Sequence, residues 1–171
     1  MKQLILGGAR SGKSHYAEQQ ASASGKKVVY IATATAGDEE MRQRISLHQQ
    51  QRPTHWQLLE EPIKLSEALL QHDNEKHCLL VDCLTLWLSN QLAEDEGLIE
   101  ESQKILIDTV AGLKSDVLLV SNEVGQGIVP VNKLARKFID ESGRLHQQLT
   151  KVCDQLVFLT AGIAQILKSP D

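Results

Sequence analysis

A chain of 171 residues fits one domain and is long enough to bury a complete sheet-and-helix core. Its net charge of -4 and pI of about 5.9 lack the basic balance of a nucleic-acid binder, so no nucleic-acid partner is expected. No apolar run approaches the ~18 residues that would cross a bilayer, and Cys78, Cys83 and Cys153 show neither a disulfide framework nor zinc-ligand spacing.

The chain opens on Met1-Lys2-Gln3 followed by the short apolar run Leu4-Ile5-Leu6, too brief for a signal peptide, and a cytoplasmic location is expected. Gln3–Leu6 reads as a strand and Lys13–Ser24 as the helix after it. Lys27–Ala32 is a second strand, and Asp38–Gln50 a helix with Asp38 as its cap and Glu39 and Glu40 in its first turn. Trp56–Leu59 is a weak strand, Ile63–His72 a helix, and His77–Val81 a strand. Helices then follow at Leu84–Glu94 and Ile99–Leu113, a strand at Asp116–Ser121, and a long helix at Lys133–Val152. Gln155–Thr160 closes the strand set, and a short helix is expected at Ala164–Lys168. The strands are runs of Val, Ile and Leu with little polar alternation, as strands covered on both faces require. Strand–helix alternation of this kind predicts an α/β fold of three layers around a mainly parallel central sheet, in a single domain spanning residues 1–171.

Between the first strand and first helix stands Gly7-Gly8-Ala9-Arg10-Ser11-Gly12-Lys13-Ser14, a G-x-x-x-x-G-K-[ST] phosphate-binding loop in its proper context. Glycines let the backbone curl so that N–H groups face phosphate oxygens, and the following helix presents its positive end. Lys13 is expected to reach the β- and γ-phosphates, and the Ser14 hydroxyl to bind Mg²⁺. A nucleoside triphosphate is therefore the expected ligand.

Such a loop needs a carboxylate on the metal side at the end of another strand, and Asp82 follows Leu79-Leu80-Val81. The competing reading makes Asp82 a cap for the helix that begins near Leu84. No G-x-G-x-x-G accompanies the loop, so a dinucleotide fold is unsupported. Asp140-Glu141-Ser142-Gly143 and Asn132-Lys133 imitate pieces of switch-GTPase motifs, but in the wrong order and without the base-reading aspartate.

Met41, Ile45 and His48 share one face of the expected helix Asp38–Gln50. His48 thus extends an apolar stripe, where a histidine is ordinarily a hydrogen-bonded core or rim residue, although its chemistry also suits a nucleophile or base. Ser121-Asn122-Glu123-Val124-Gly125-Gln126-Gly127-Ile128-Val129-Pro130 lies at the carboxyl end of a buried strand, where α/β sheets bind ligands. It suits substrate contact as well as an ordinary connection. Arg136 and Arg144 on the next helix are candidates for phosphate contact or for a solvated helix face.

Taken together, the chain resembles the bifunctional adenosylcobinamide kinase/adenosylcobinamide-phosphate guanylyltransferases almost end to end. The resemblance is carried by the phosphate loop, Tyr30-Ile31-Ala32-Thr33, Asp38-Glu39-Glu40-Met41, and Arg44-Ile45-x-x-His48-x-x-x-Arg52-Pro53-x-x-Trp56. It continues in Asp82-Cys83-Leu84-Thr85-Leu86-Trp87-Leu88-Ser89-Asn90, in Ser121-Asn122-Glu123-Val124-Gly125-x-Gly127-Ile128-Val129-Pro130, and in Ala161-Gly162. The resemblance implies a RecA-like P-loop NTPase core that assembles as a homotrimer. It implies two reactions: phosphorylation of adenosylcobinamide by ATP or GTP, then transfer of GMP from GTP to adenosylcobinamide phosphate through a GMP–histidine intermediate. His48 is the histidine that would carry GMP, with Lys13 as the other catalytic residue. The implied nucleotide contacts are Gly7, Gly8, Ala9, Arg10, Ser11, Gly12, Lys13, Ser14, Ala32, Thr33, Ala34, Gln49, Gln50, Gln51, Arg52, Glu60 and Asp82, with Ser14 and Asp82 also on the metal. Val131, where many members carry an acid, and His146, where asparagine is usual, depart from the pattern. Two rival readings stand beside this one: a P-loop small-molecule kinase without guanylyl transfer, and a GTP-binding module without an acceptor.

Overall fold

The computed structural model describes residues 1–35 and 53–170. The expected helix Asp38–Gln50, with Met41, Ile45 and His48, lies outside the described residues, as do Gln49, Gln50, Gln51 and Arg52.

The strands are β1 (Lys2–Gly7), β2 (Lys27–Ala32), β3 (Gln57–Glu60), β4 (His77–Asp82), β5 (Asp116–Asn122), β6 (Gln155–Thr160) and β7 (Ile163–Lys168). The helices are α1 (Lys13–Ala23), α2 (Leu65–Gln71), α3 (Leu84–Glu94), α4 (Ile99–Gly112) and α5 (Lys133–Val152). Among the described residues the strands form one seven-stranded sheet in the order β3-β2-β4-β5-β1-β6-β7. Every neighbouring pair is parallel except β6 and β7.

The central strands are apolar on both faces because both faces are covered. Leu4, Leu6, Val29, Ile31, Leu79, Val81, Val117 and Leu119 point into one cluster, closed by Leu84, Trp87 and Leu88 of α3, Leu106 and Val110 of α4, and Leu145 and Leu149 of α5. Ile5, Val28, Tyr30, Leu80, Leu118 and Val120 point into the opposite cluster, where α1 supplies the buried Ala17 and Ala21 with the partly buried Tyr16 beside them. Two alanines four residues apart let α1 sit close to the sheet, which places its N-terminus directly above the end of β1. In α3 the buried positions are Leu84, Trp87, Leu88, Gln91 and Leu92, the spacing of a single helical face. Each fully buried leucine of this kind contributes roughly 1.5–3 kcal/mol of burial.

Helix α5 is capped by Asn132, whose side-chain oxygen accepts the Ala135 N–H at 3.0 Å. Asn132→Ala is expected to lower stability by about 1 kcal/mol, read as a melting-temperature drop of roughly 2–4 °C with both activities retained.

The expected helix Ala164–Lys168 is instead the antiparallel strand β7, paired with β6 from Thr160↔Ile163 to Leu156↔Lys168. The turn decides it. Ala161 and Gly162 have φ of 51° and 81°, so both central residues adopt the left-handed conformation of a two-residue hairpin turn. Once the chain reverses there, the short apolar run adds to the sheet edge, whereas a helix of its length would have gained little.

Candidate active site

The phosphate loop joins β1 to α1 at the carboxyl edge of the sheet, and its shape is imposed by close approaches. Gly7 has φ 156°, and a Cβ there would lie 2.5 Å from the Leu159 carbonyl oxygen and 2.7 Å from Ser11 Oγ. Gly12 has φ 97°, and a Cβ there would stand 3.2 Å from Gly162 Cα. These glycines admit the β6–β7 turn against the loop, where the Gly162 N–H donates to the Ser11 carbonyl at 2.9 Å. Gly8, Ala9 and Arg10 form the exposed crest, with Arg10 at φ 54°.

Lys13 is buried inside this arch, and its ammonium donates to the Gly8 carbonyl at 2.5 Å and lies 3.4 Å from Ser11 Oγ. Burial holds its pKa below the ordinary lysine value, while Cys83 and Asp82 act in the opposite sense. Asp82 therefore lies within electrostatic reach of Lys13 and favours its charged form. Ser14 follows in the first turn of α1, half-buried.

Asp82 ends β4, and the Tyr30 hydroxyl donates to its Oδ2 at 2.9 Å. The residue at the cap of α3 is Cys83, with no side-chain cap hydrogen bond, so Asp82 does not act as the helix cap. Tyr30, not singled out by sequence, fixes the rotamer of the carboxylate.

Thr33 is fully buried. Its hydroxyl donates to the Cys83 carbonyl at 2.6 Å and accepts the Cys83 N–H at 2.9 Å. Its carbonyl accepts Asn90 Nδ2 at 2.9 Å, and the same amide reaches the Pro62 carbonyl at 3.1 Å. Thr33 and Asn90 thus lock the ends of β2 and β4 together beneath Ala32 and Ala34. Glu60 ends β3 on the exposed rim, opposite Ala32.

At the end of β5 the turn following Asn122 is tied to both neighbours. The Glu123 N–H donates to the Gly7 carbonyl at 3.0 Å, and the Asn122 N–H donates to Thr85 Oγ1 at 2.7 Å. Beyond it, Ile128, Val129 and Val131 stand exposed. The guanidinium of Arg136 donates to the carbonyls of Pro130 and Val131, and that of Arg144 to Glu141. Both arginines therefore have local partners.

Residues 3–167 match the family described as cobinamide kinase / cobinamide phosphate guanyltransferase. The chain belongs to this family. It is 47% identical over 169 residues to the bifunctional adenosylcobalamin biosynthesis protein CobP of Pseudomonas aeruginosa, covering 98% of each chain. It is 37% identical over 180 residues to the bifunctional adenosylcobalamin biosynthesis protein CobU of Escherichia coli, covering 96% of this chain and 98% of that one. Among solved structures, an ATPase domain superposes with a TM-score of 0.55 at 16% identity, covering 99% of this chain and 77% of that one. A Pyrococcus horikoshii protein, PH0250, superposes with a TM-score of 0.61 at 12% identity, covering 99% of this chain and 87% of that one. These likenesses show the fold alone, an α/β arrangement around a mainly parallel sheet. The enzyme is accordingly a cobinamide kinase and cobinamide-phosphate guanylyltransferase of adenosylcobalamin biosynthesis.

In this family member Gly7 to Ser14, Ala32 to Ala34, Glu60 and Asp82 all lie along the carboxyl edge of the sheet. His48 and residues 49–52 stand outside the described residues. Three contributors were given no role by the sequence: Tyr30 on Asp82, Asn90 on Thr33, and the Gly162 turn on Ser11. The phosphate loop was visible in sequence; the hairpin turn that packs against it was not.

Proposed function

We propose that one nucleotide site serves both reactions, with GMP carried on His48 between GTP and the phosphorylated acceptor. The supporting observation is the burial of Lys13 in the phosphate loop within electrostatic reach of Asp82. One triphosphate held there presents its γ-phosphorus to the hydroxyl of adenosylcobinamide or its α-phosphorus to a histidine. ATP or GTP donates in the first reaction, and GTP in the second. The nucleotide rests on Gly7, Gly8, Ala9, Arg10, Ser11, Gly12, Lys13 and Ser14, with Ala32, Thr33, Ala34, Gln49, Gln50, Gln51, Arg52, Glu60 and Asp82 around it. Thr33 has its hydroxyl engaged by Cys83 and acts by holding the rim in shape.

The Ser14 hydroxyl and the Asp82 carboxylate are hard oxygen donors that suit Mg²⁺, which binds few protein ligands and completes its shell with phosphate oxygens and water. Among the described residues Tyr30 engages Oδ2 of Asp82, and Oδ1 is available to the ion. Mg²⁺ there supplies neutralisation of the negative charge that develops on the phosphates. Asp82→Asn is expected to raise the Mg²⁺ concentration needed for half-maximal turnover at least tenfold, with little change in melting temperature. An unchanged Mg²⁺ requirement with a large fall in melting temperature would show a purely structural role.

The chain acts as a single catalytic domain, in the cytoplasm, as a homotrimer. The exposed edge strand β7, with Ile163, Ile166 and Leu167 all more than half exposed, supports an interface between copies. Light scattering on the purified protein measures the assembly. The activity itself is tested with adenosylcobinamide and GTP labelled separately at the α- and γ-positions. The final product must carry both labels, one from each reaction; a product bearing γ-label alone would identify a kinase without guanylyl transfer.

A further inference from the structure

The turn at the end of β5 contains a carboxylate that lies beside a buried histidine, and neither belongs to the phosphate loop or the metal pair. Strand β5 lies between β1, which leads into the phosphate loop, and β4, which ends on Asp82. Its carboxyl end therefore projects Asn122 and Glu123 into the gap between the triphosphate and metal elements, and the Glu123 N–H is fastened to Gly7. The Glu123 carboxylate accepts the Gly125 N–H through Oε1 at 2.6 Å. Gly125 makes that approach possible, since a Cβ there would stand 3.0 Å from the same oxygen. The other oxygen, Oε2, faces Nδ1 of His146 at 3.9 Å.

His146 is buried on α5, and its Nε2 lies 2.8 Å from Ser121 Oγ, which in turn lies 3.3 Å from Thr85 Oγ1. Thr85 accepts the Asn122 N–H. The ring therefore braces Ser121, at the start of the turn, through a hydrogen bond and packs within 3.9 Å of the Glu123 carboxylate inside it. A buried polar network of this kind lowers the freedom of the groups it joins. The Glu123 carboxylate is anchored by the Gly125 N–H and retains partial exposure.

We propose that Glu123 is the carboxylate that orients the acceptor hydroxyl and takes its proton in the kinase reaction, and that His146 positions it. This rests on the shared-site reading above. The acceptor O–H bond breaks and its proton passes to Glu123, while the oxygen forms a bond to the γ-phosphorus. The bond from that phosphorus to the β–γ bridging oxygen breaks, and the nucleoside diphosphate leaves with the electron pair. The guanylyl reaction needs no such base, because its acceptor is a phosphate oxygen that is already ionised. The carboxylate therefore distinguishes the two reactions.

The test uses the full chain and measures each reaction alone, the kinase with adenosylcobinamide and GTP, and the transferase with preformed adenosylcobinamide phosphate and GTP. Glu123→Gln keeps the size and the Gly125 hydrogen bond but not the base. It is expected to lower the kinase kcat by roughly 10²-fold or more, the usual worth of a positioned general base, and to leave the transferase within about threefold. His146→Gln, whose amide reaches Ser121 as Nε2 does, is expected to retain most kinase activity. His146→Leu is expected to lower the kinase kcat without changing the KM for GTP or the transferase rate. Kinase activity of Glu123→Gln near the wild-type level, or an equal fall in both reactions, overturns the proposal. A wild-type protein lacking guanylyl transfer would instead overturn the functional reading, while the kinase comparison still decides the role of Glu123.

Discussion

Lys13→Ala is expected to lower kinase and guanylyltransferase activity together, each by roughly 10²–10³ in rate, the usual loss when one preorganised charge-stabilising donor is removed. The ammonium is the buried cation of the phosphate loop, donating to the Gly8 carbonyl at 2.5 Å in this structure. Triphosphate oxygens are the stronger acceptors and carry formal charge, so a bound nucleotide draws the ammonium onto them. Burial works against the charged form, and Asp82 works for it, so the lysine is held where a polyanion gains most from it. Removing it leaves the fold intact, because the loop is also held by Gly162 on Ser11 and by Glu123 on Gly7. Parallel rate measurements and a melting curve check this. Survival of either activity near the wild-type level would mean that the two reactions do not share this lysine.

His48→Ala is expected to separate the reactions. Guanylyl transfer is expected to fall below detection, and phosphorylation of adenosylcobinamide to persist within about threefold of wild type. Neutral imidazole is nucleophilic near pH 7 and leaves well once protonated, which suits a group that accepts GMP and then gives it up. In the first step its nitrogen attacks the α-phosphorus and pyrophosphate leaves; in the second, the acceptor phosphate displaces the histidine. Two in-line displacements return the α-phosphorus to its original configuration, so chiral α-phosphorothioate GTP is expected to react with overall retention. Inversion would point to direct transfer.

Much of the fold was legible because its strands are buried on both faces: β2 and β6 stand at their expected bounds, and β1, β4 and β5 differ only at their ends. Helices α3 and α5 likewise carry a single apolar face over three or more turns, which leaves little ambiguity of period. Ile163–Lys168 was not legible as a strand because six residues are too few to fix a period, and the deciding feature is the backbone conformation of Ala161 and Gly162. The phosphate loop was legible for the opposite reason, since its glycines answer close approaches that no side chain could allow. The support behind the loop and Asp82 stayed hidden. Tyr30, Thr33, Asn90 and His146 act through hydrogen bonds between residues 25 to 57 positions apart, and no spacing rule announces such pairs. Asp82 itself was open to two readings, and the structure speaks against one of them, since Cys83 stands at the cap of the helix.

The central claim is that one site makes both a phosphoryl and a nucleotidyl transfer, the second through His48. Incubating the protein with Mg²⁺ and GTP labelled at either the α- or the γ-phosphorus, without acceptor, tests it most directly. The α-label is expected to remain on the denatured wild-type protein at up to one equivalent per chain, resistant to alkali and released by mild acid as a phosphoramidate requires. The γ-label is expected to leave with pyrophosphate, and His48→Ala to retain neither. Retention of γ-label, or α-label held equally by His48→Ala, would contradict the account.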